Sequence, residues 1–427
     1  VFRLVVAIAL GRAAGRLSRR LGRGGSALPG LIAEKIDPHT IERLAGPLPG
    51  GVVVITGTNG KTTTTKMLVR MLEGEGRRVV TNSTGSNLAR GIATGLIEVA
   101  SRCGRIDADL AVIEVDEAAV RTLAPRLRPQ VMVVTNLARD QLDRFGELAT
   151  TAAHAAAAVH HAGVAVLNAD DPLVADMAGG AGAVRFFGAT EDIRRAMPHD
   201  SGLYGPDEPA ERPALDLCLE LADPDGDGQV IELVASTGER ASARLQVPGA
   251  YNGYNAAAAV LAARQLGVPL ERATAALEEV RPAFGRGQVV EYRGRRVKLL
   301  LVKNPAGLNQ AIRLLCALPP GAPVLIAIND LDADGRDVSW LWDARVENLA
   351  ETGHCFGTAG VRAYDMALRL KYAGLEAWSE TDFSAALARF VEGIPEGETG
   401  YLVPTYTAML RFLDLLLPGT SKREAWA

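Results

Sequence analysis

The sequence predicts an α/β fold: a largely parallel sheet covered by helices on both faces, followed by a second, smaller α/β unit. Three observations carry this expectation. From Val52 onward, short apolar β-branched strands alternate with helix-length segments. Near Val289 a second strand–helix series begins. The 427 residues also exceed one compact domain of ordinary size. Apolar and charged contents of 48% and 22% are those of a globular chain, and a net charge of −4 gives no electrostatic case for nucleic-acid binding.

The leading segment, 1–45, is apolar to Leu10 apart from Arg3. Arg12, Arg16, Arg19, Arg20 and Arg23 follow, with no acid before Glu34. The apolar run is too short to span a bilayer. Arginines also occupy the place where the small residues of a signal-peptide cleavage site would lie. Two readings follow: a helix packed on the body with a solvated basic face, or a basic amphipathic helix resting on an anionic membrane surface. The chain opens on Val rather than Met, which leaves its true start open.

The central domain is expected over 46–288, with strands at 51–56, 78–81, 109–115, 130–135 and 164–168 and an alanine-rich helix at 148–161. Over 175–247 the character changes to Gly, Pro and Asp clusters with alternating strands at 215–221, 229–235 and 241–247, which reads as an inserted or appended β-rich patch. Helices at 256–266 and 270–280 follow. The C-terminal α/β domain is expected over 289–427, with strands at 297–303, 324–329, 353–357 and 400–404 and helices near 306–317, 361–372, 383–393 and 407–416. Cys103, Cys218, Cys316 and Cys355 form no Cys-x-x-Cys pair. They predict neither a disulfide framework nor a zinc site and suit a reducing cytoplasm.

The first chemical signal is the strand Val52 to Thr56 running into Gly57-Thr58-Asn59-Gly60-Lys61-Thr62-Thr63 and then a helix. Glycines let backbone N–H groups converge on an anion, and a helix N-terminus adds partial positive charge. Lys61 would reach outer phosphates and the Thr62 hydroxyl could ligate Mg²⁺. Ile55 stands where the standard P-loop places its first glycine, so the cradle is a shortened one. Glu114-Val115-Asp116-Glu117 ends the strand 109–115; a carboxylate there can hold Mg²⁺ opposite Thr62 or simply solvate the strand end. Asn136 to Asp143 follows the next strand with an amide, charges and Gln141 in one loop. Asn252 and Asn255, three apart at a helix start, share a face. An asparagine amide there can match an adenine edge or simply cap the helix.

In this order these pieces resemble the Mur ligase family, which joins an amine to a carboxylate using ATP. Thr56 to Thr63, Asn136/Asp140 and Asn252/Asn255 match its motifs. Thr81 to Gly91, Asn136 to Glu147, Val302-Lys303-Asn304-Pro305-Ala306-Gly307 and Pro404 to Met409 look like one branch, MurT, the ligase-like subunit of lipid II isoglutaminyl synthase. The resemblance runs from Gly22 to about Arg411. It implies a Mur ligase-like central P-loop ATPase domain with a Rossmann-like C-terminal domain. It also implies a GatD-type glutaminase partner, and ATP-dependent amidation of the D-glutamate α-carboxylate in the lipid II stem peptide through an acyl phosphate. By the same resemblance Glu114 is the carboxylate expected to pair with Thr62 on Mg²⁺, Asn255 would face adenine, Arg286 would approach the nucleotide, and Asp343, with Asp337 second, would orient a histidine in the partner's Cys/His pair. The Trp340/Trp342 pair beside them would suit an interface if exposed.

None of the four cysteines sits in a recognisable nucleophile motif, which fits a partner chain. Three departures from the family pattern stand out. Only Cys218 remains where many relatives carry a four-cysteine zinc ribbon, so no zinc is expected. Leu300 and Lys303 replace an acid and a histidine of the amino-acid-adding ligases, and Gln141 replaces a histidine near a second Mg²⁺. The rival readings are a stand-alone Mur-type or folylpolyglutamate-type amino-acid ligase, and a non-catalytic nucleotide-binding scaffold.

Overall fold

The computed structural model describes residues 2–20, 27–82, 86–138, 148–196, 212–225, 228–281 and 285–418. They divide into two compact units, one drawn from residues up to Val280 and the other from Arg281 onward together with Ala138.

The first unit is built on a nine-stranded sheet. Its strands are β1 (Val52–Thr56), β2 (Val79–Thr81), β3 (Leu110–Glu114), β4 (Val131–Val134), β5 (Val164–Asn168), β6 (Val184–Ala189), β7 (Leu217–Asp225), β8 (Gly228–Ala235) and β9 (Arg240–Leu245). Their order is β2-β3-β1-β4-β5-β6-β7-β8-β9. Pairing is parallel up to β7 and antiparallel through β8 and β9. The described strands of the segment expected as an inserted or appended β-rich patch, β6 to β9, continue the central sheet.

Side-chain alternation along the strands explains the two layers that cover this sheet. Val53 and Ile55 of β1, Val112 of β3 and Val133 of β4 face one core, with Met67, Leu68, Met71 and Leu72 of α4 (Lys61–Gly74). Val52 and Val54, Ile113 and Val134 face the other. That second layer includes α1 (Phe2–Arg20), α2 (Leu28–Ile36), α3 (Thr40–Ala45), α5 (Ala89–Val99) and α6 (Val120–Leu127). A strand buried on both faces has no polar side to present, which is why these segments read as unbroken apolar runs. The helix Ala250–Gln265 is buried almost all round. Its alanines let it lie close against α4 and strands β4 to β7.

The order of strands also fixes where a ligand can sit. The chain moves from β1 out to β2 and β3, then crosses to β4 on the other side of β1. The C-terminal ends of β1 and β4 thus flank a topological switch point, the crevice in which open α/β sheets bind ligands.

The second unit has a six-stranded sheet, from β10 (Arg286–Tyr292), β11 (Arg295–Leu300), β12 (Pro323–Ala327), β13 (Cys355–Ala359), β14 (Ala377–Glu380) and β15 (Thr399–Pro404), ordered β10-β11-β15-β12-β13-β14. Only β10 runs antiparallel to its neighbour. Val324 and Ile326 of β12 enter one core, Leu325 and Ala327 the other. Asn304 caps the helix Pro305–Cys316, its Oδ1 accepting from the Gly307 N–H at 2.8 Å.

Candidate active site

The loop from Gly57 to Gly60 turns at the C-terminal end of β1. Gly57 and Gly60 have φ of +124° and +88°, a region that disfavours other residues. Space is equally decisive. A Cβ on Gly57 would lie 2.4 Å from the Thr135 hydroxyl, and one on Gly60 would lie 2.1 Å from Asn255 Oδ1. The loop after β4 holds this turn in place. Thr58 N donates to Asn136 O at 2.8 Å, and Asn59 N to Asn136 Oδ1 at 3.0 Å. Asn136 Nδ2 and Thr135 Oγ1 donate to Asn59 O at 2.9 and 2.7 Å. With Thr58 N and the Asn59 backbone tied to the loop after β4, the turn opens onto the start of α4, where the first N–H groups have no acceptor within the helix.

Lys61 opens α4 and is buried. Its Nζ donates to Gly57 O, to Thr58 O at 3.3 Å and to Glu117 Oε2 at 2.9 Å. Burial alone would lower the affinity of this amine for its proton. Glu117, Asp116 and Glu114 outweigh that and hold its pKa above the ordinary lysine value. Glu117 is itself buried, so the two charges compensate each other out of water.

The two residues expected to hold a metal meet. Thr62 Oγ1 donates to Glu114 Oε2 at 2.9 Å. Asn82, at the end of β2, exchanges two hydrogen bonds with the Glu114 backbone, at 2.8 and 2.9 Å, and so fixes the end of β3. Thr63 is buried in the same helical turn. Asn255 closes the arrangement from the other side. Its Nδ2 donates to Asn252 Oδ1 at 3.2 Å, and Asn252 Nδ2 donates to Pro248 O at 2.8 Å. Gly57, Thr58, Asn59, Gly60, Lys61, Thr62, Thr63, Glu114, Asn252 and Asn255 therefore share one neighbourhood. Asp140, Gln141 and Asp143 lie outside the described residues.

The remaining expected residues belong to the second unit. Arg286 opens β10, in register with Leu300. Asp337 and Asp343 flank a short 3₁₀ helix, Ser339–Trp342. Asp337 Oδ1 accepts from Ser339 N at 2.8 Å, and Asp343 is exposed. The expectation of an exposed tryptophan pair is half corrected. Trp340 is in the core, and only Trp342 faces solvent. Trp342 meets Tyr372 edge to face, with centroids 5.5 Å apart, and stacks on Arg369. The pairing of Glu117 with Lys61 and the anchoring of Glu114 by Asn82 carry no local mark in the sequence, beyond the place of Glu117 among acidic neighbours.

Comparison with known proteins bears on this arrangement. A family model described as Mur ligase middle domain matches residues 55–263, and one described as MurT ligase C-terminal matches 301–409. MurF from Acinetobacter baumannii superposes with a TM-score of 0.68 at 19% identity, over 89% of this chain and 78% of that one. MurF ligase from Thermotoga maritima in complex with ADP gives 0.66 at 17%, over 93% and 84%. The fold is thus that of the Mur ligases. The subunit MurT of the glutamine-hydrolyzing lipid II isoglutaminyl synthase of Streptococcus pneumoniae is 33% identical, over 95% of this chain and 96% of its own. Its counterpart from Staphylococcus aureus is 30% identical, over 96% and 97%. The chain belongs to the MurT family.

Proposed function

We propose that this chain is the ATP-using subunit of a glutamine-dependent amidotransferase acting on the lipid II stem peptide. The carrying observation is the convergence of the glycine cradle, Lys61 and the Thr62–Glu114 pair at the switch point of a MurT-family chain. A carboxylate does not react with ammonia until one oxygen becomes a leaving group. The D-glutamate α-carboxylate attacks the terminal phosphorus of ATP and the bond to the departing ADP breaks. Ammonia then attacks the acyl carbon, the carbon–oxygen bond to phosphate breaks, and D-isoglutamine remains.

Most of the protein's work in such a transfer is positioning and charge neutralisation. The loop amides and the α4 N-terminus would hold the phosphates, and Lys61 would turn from Glu117 toward them. Thr62 and Glu114 offer the hard oxygen donors that suit Mg²⁺, which would neutralise charge on the transferred group. Asn255, backed by Asn252, would face the adenine.

Ammonia would come from a glutaminase partner, consistent with the glutamine-hydrolyzing activity in the relatives' names. The second unit offers a surface for it. Tyr364, Leu368 and Tyr372 project from one face of the helix Ala363–Tyr372, all exposed, and Trp342 abuts Tyr372. Aromatic anchors of this kind dominate interface energetics. Asp343, or Asp337, would orient the partner's catalytic histidine from the adjacent loop.

The test is amidation of lipid II with Mg-ATP and an ammonium salt, without partner, followed by stem-peptide mass. Product is expected, and Lys61→Ala is expected to abolish it. No product even after adding a glutaminase and glutamine would refute the reading and favour an amino-acid-adding ligase.

A further inference from the structure

Helix α1 has two opposite faces, and only one is used by the fold. Leu4, Ala7, Ile8, Gly11 and Gly15 recur at three- and four-residue steps and are buried, with α1 lying against α2 and α5. The approach is close. A Cβ on Gly11 would come within 2.8 Å of the Ile97 side chain and 2.9 Å of Pro29 O. Arg12 reinforces the contact by donating to carbonyls at the end of α5, including Ile97 O at 2.8 Å.

The opposite face carries Phe2, Leu10 and Leu17, with exposures of 81%, 51% and 59%. At 3.6 residues per turn these three fall on one stripe. Arg3 borders it on one side, Arg16 on the other, and Arg20 lies at its C-terminal end; all three are exposed. The first acid in the chain is Glu34, although the whole chain carries a net −4. A docked helix thus turns outward an apolar ridge bordered by cations.

We infer that this outer face of α1 is a docking surface for an anionic lipid bilayer. The ridge would enter the boundary between headgroups and acyl chains. The arginines would reach sideways to lipid phosphates, their stems lying along the apolar zone. Attachment is at the surface, since no helix among the described residues is long and apolar enough to cross a membrane. The charge pattern selects this occupant. A neutral apolar protein surface would leave Arg3, Arg16 and Arg20 uncompensated, and a second copy of the same face would oppose like charges. The inference rests on the helix surface alone, though a lipid-linked substrate would be met in the same plane.

The test is flotation of the full chain with phosphatidylglycerol-containing vesicles and with pure phosphatidylcholine vesicles, without nucleotide or lipid II. Binding is expected to the anionic vesicles only, weakening with salt. The triple variant Arg3→Gln, Arg16→Gln, Arg20→Gln should lower it about a hundredfold, at about fivefold per arginine near the surface. Leu10→Asn with Leu17→Asn should lower it as well, with an unchanged melting temperature because both residues face solvent. Absence of binding to anionic vesicles, or binding unaffected by both variants, would overturn the inference. So would self-association abolished by the leucine variant, which would give the face to a second copy. None of these outcomes bears on amidation assayed in detergent, so the two readings fail separately.

Discussion

Replacing Glu117 by glutamine separates two effects that the Lys61–Glu117 pair combines. The Lys61 ammonium is buried and rests on one carboxylate and two carbonyls. Removing one partner of a buried pair generally costs about 3–5 kcal/mol, because the remaining charge is uncompensated. Glutamine keeps the shape and one acceptor oxygen, and Gly57 O and Thr58 O still receive the ammonium, so the low end applies. A loss of about 3 kcal/mol corresponds to a fall in melting temperature of about 6–12 °C for a domain of this size. Nucleotide binding should move the other way. If phosphate takes the ammonium from Glu117, the wild type gives up part of the pair on binding and the variant does not. Surrender of half that energy, about 1.5 kcal/mol, makes Mg-ADP bind about tenfold tighter to Glu117→Gln.

The assay is thermal unfolding of both proteins across a nucleotide titration. An unchanged melting temperature would refute the claim that the pair stabilises the fold. Weaker nucleotide binding would refute the competition and make Glu117 a helper of the bound state. The pH dependence is fixed in sign. The Lys61 pKa is raised, so its contribution is fully present below the ordinary value of 10.5 and lost only as pH rises through the higher folded value. The difference between wild type and variant that Lys61 contributes should therefore be flat across neutral pH.

Gly60→Ala puts a Cβ against Asn255 at a left-handed position, a backbone cost of about 1–2 kcal/mol before any displacement of Asn255. It should abolish the nucleotide-induced thermal shift. Gly76→Ala, also left-handed (φ +74°) but with nothing within 4 Å of the new Cβ, should keep that shift. Arg126 bridges Glu42 and Glu34 at 2.8 and 2.9 Å. Burial alone would raise the Glu42 carboxyl, but Arg126 holds it below its ordinary 4.5. That stabilisation is present above pH 4.5 and lost as pH falls through the lower folded value, so urea midpoints should drop more steeply in acid for wild type than for Arg126→Met; parallel curves would refute it. Trp342→Ala with Tyr372→Ala should weaken capture of the glutaminase subunit by at least about tenfold, as loss of interface anchors does, while leaving ammonium-driven amidation intact.

What the sequence made legible was local. The strands β1, β3, β4 and β5 stood out because burial on both faces leaves uninterrupted apolar runs. The helix after the cradle was expected too, though its first turn at Lys61 was hidden by a run of threonines that favours other structure. Long-range pairing was not legible. Nothing in 175–247 announces that β6 joins β5 in parallel and that β7 to β9 extend the same sheet. Edge strand β14, only four residues long, has too little pattern to register. The tryptophans show how a local misjudgement arises. Two residues apart in an extended loop share a side, but in a 3₁₀ helix of three residues per turn they point to different sides, so Trp340 enters the core and Trp342 does not.

The same distinction divides the candidate site. Residue types and spacing named the cradle, the lysine, the hydroxyl and the carboxylate. The bonds that assemble them join residues 32 to 77 positions apart: Asn82 to Glu114, Thr62 to Glu114, Lys61 to Glu117 and Asn59 to Asn136. Each is set by which strands lie side by side. The order β3-β1-β4 places the ends of β3 and β4 on either side of the loop after β1, so three separate segments must converge on that loop. Glu117 illustrates the consequence. Three residues past the end of β3 it resembles any solvated acid, and only the adjacency of β1 and β3 brings Lys61 within 2.9 Å of it and buries both. Under the proposed nucleotide role, this buried lysine with a carboxylate partner would be a charge poised for exchange, because an incoming phosphate would substitute for the carboxylate without leaving the ammonium unpaired.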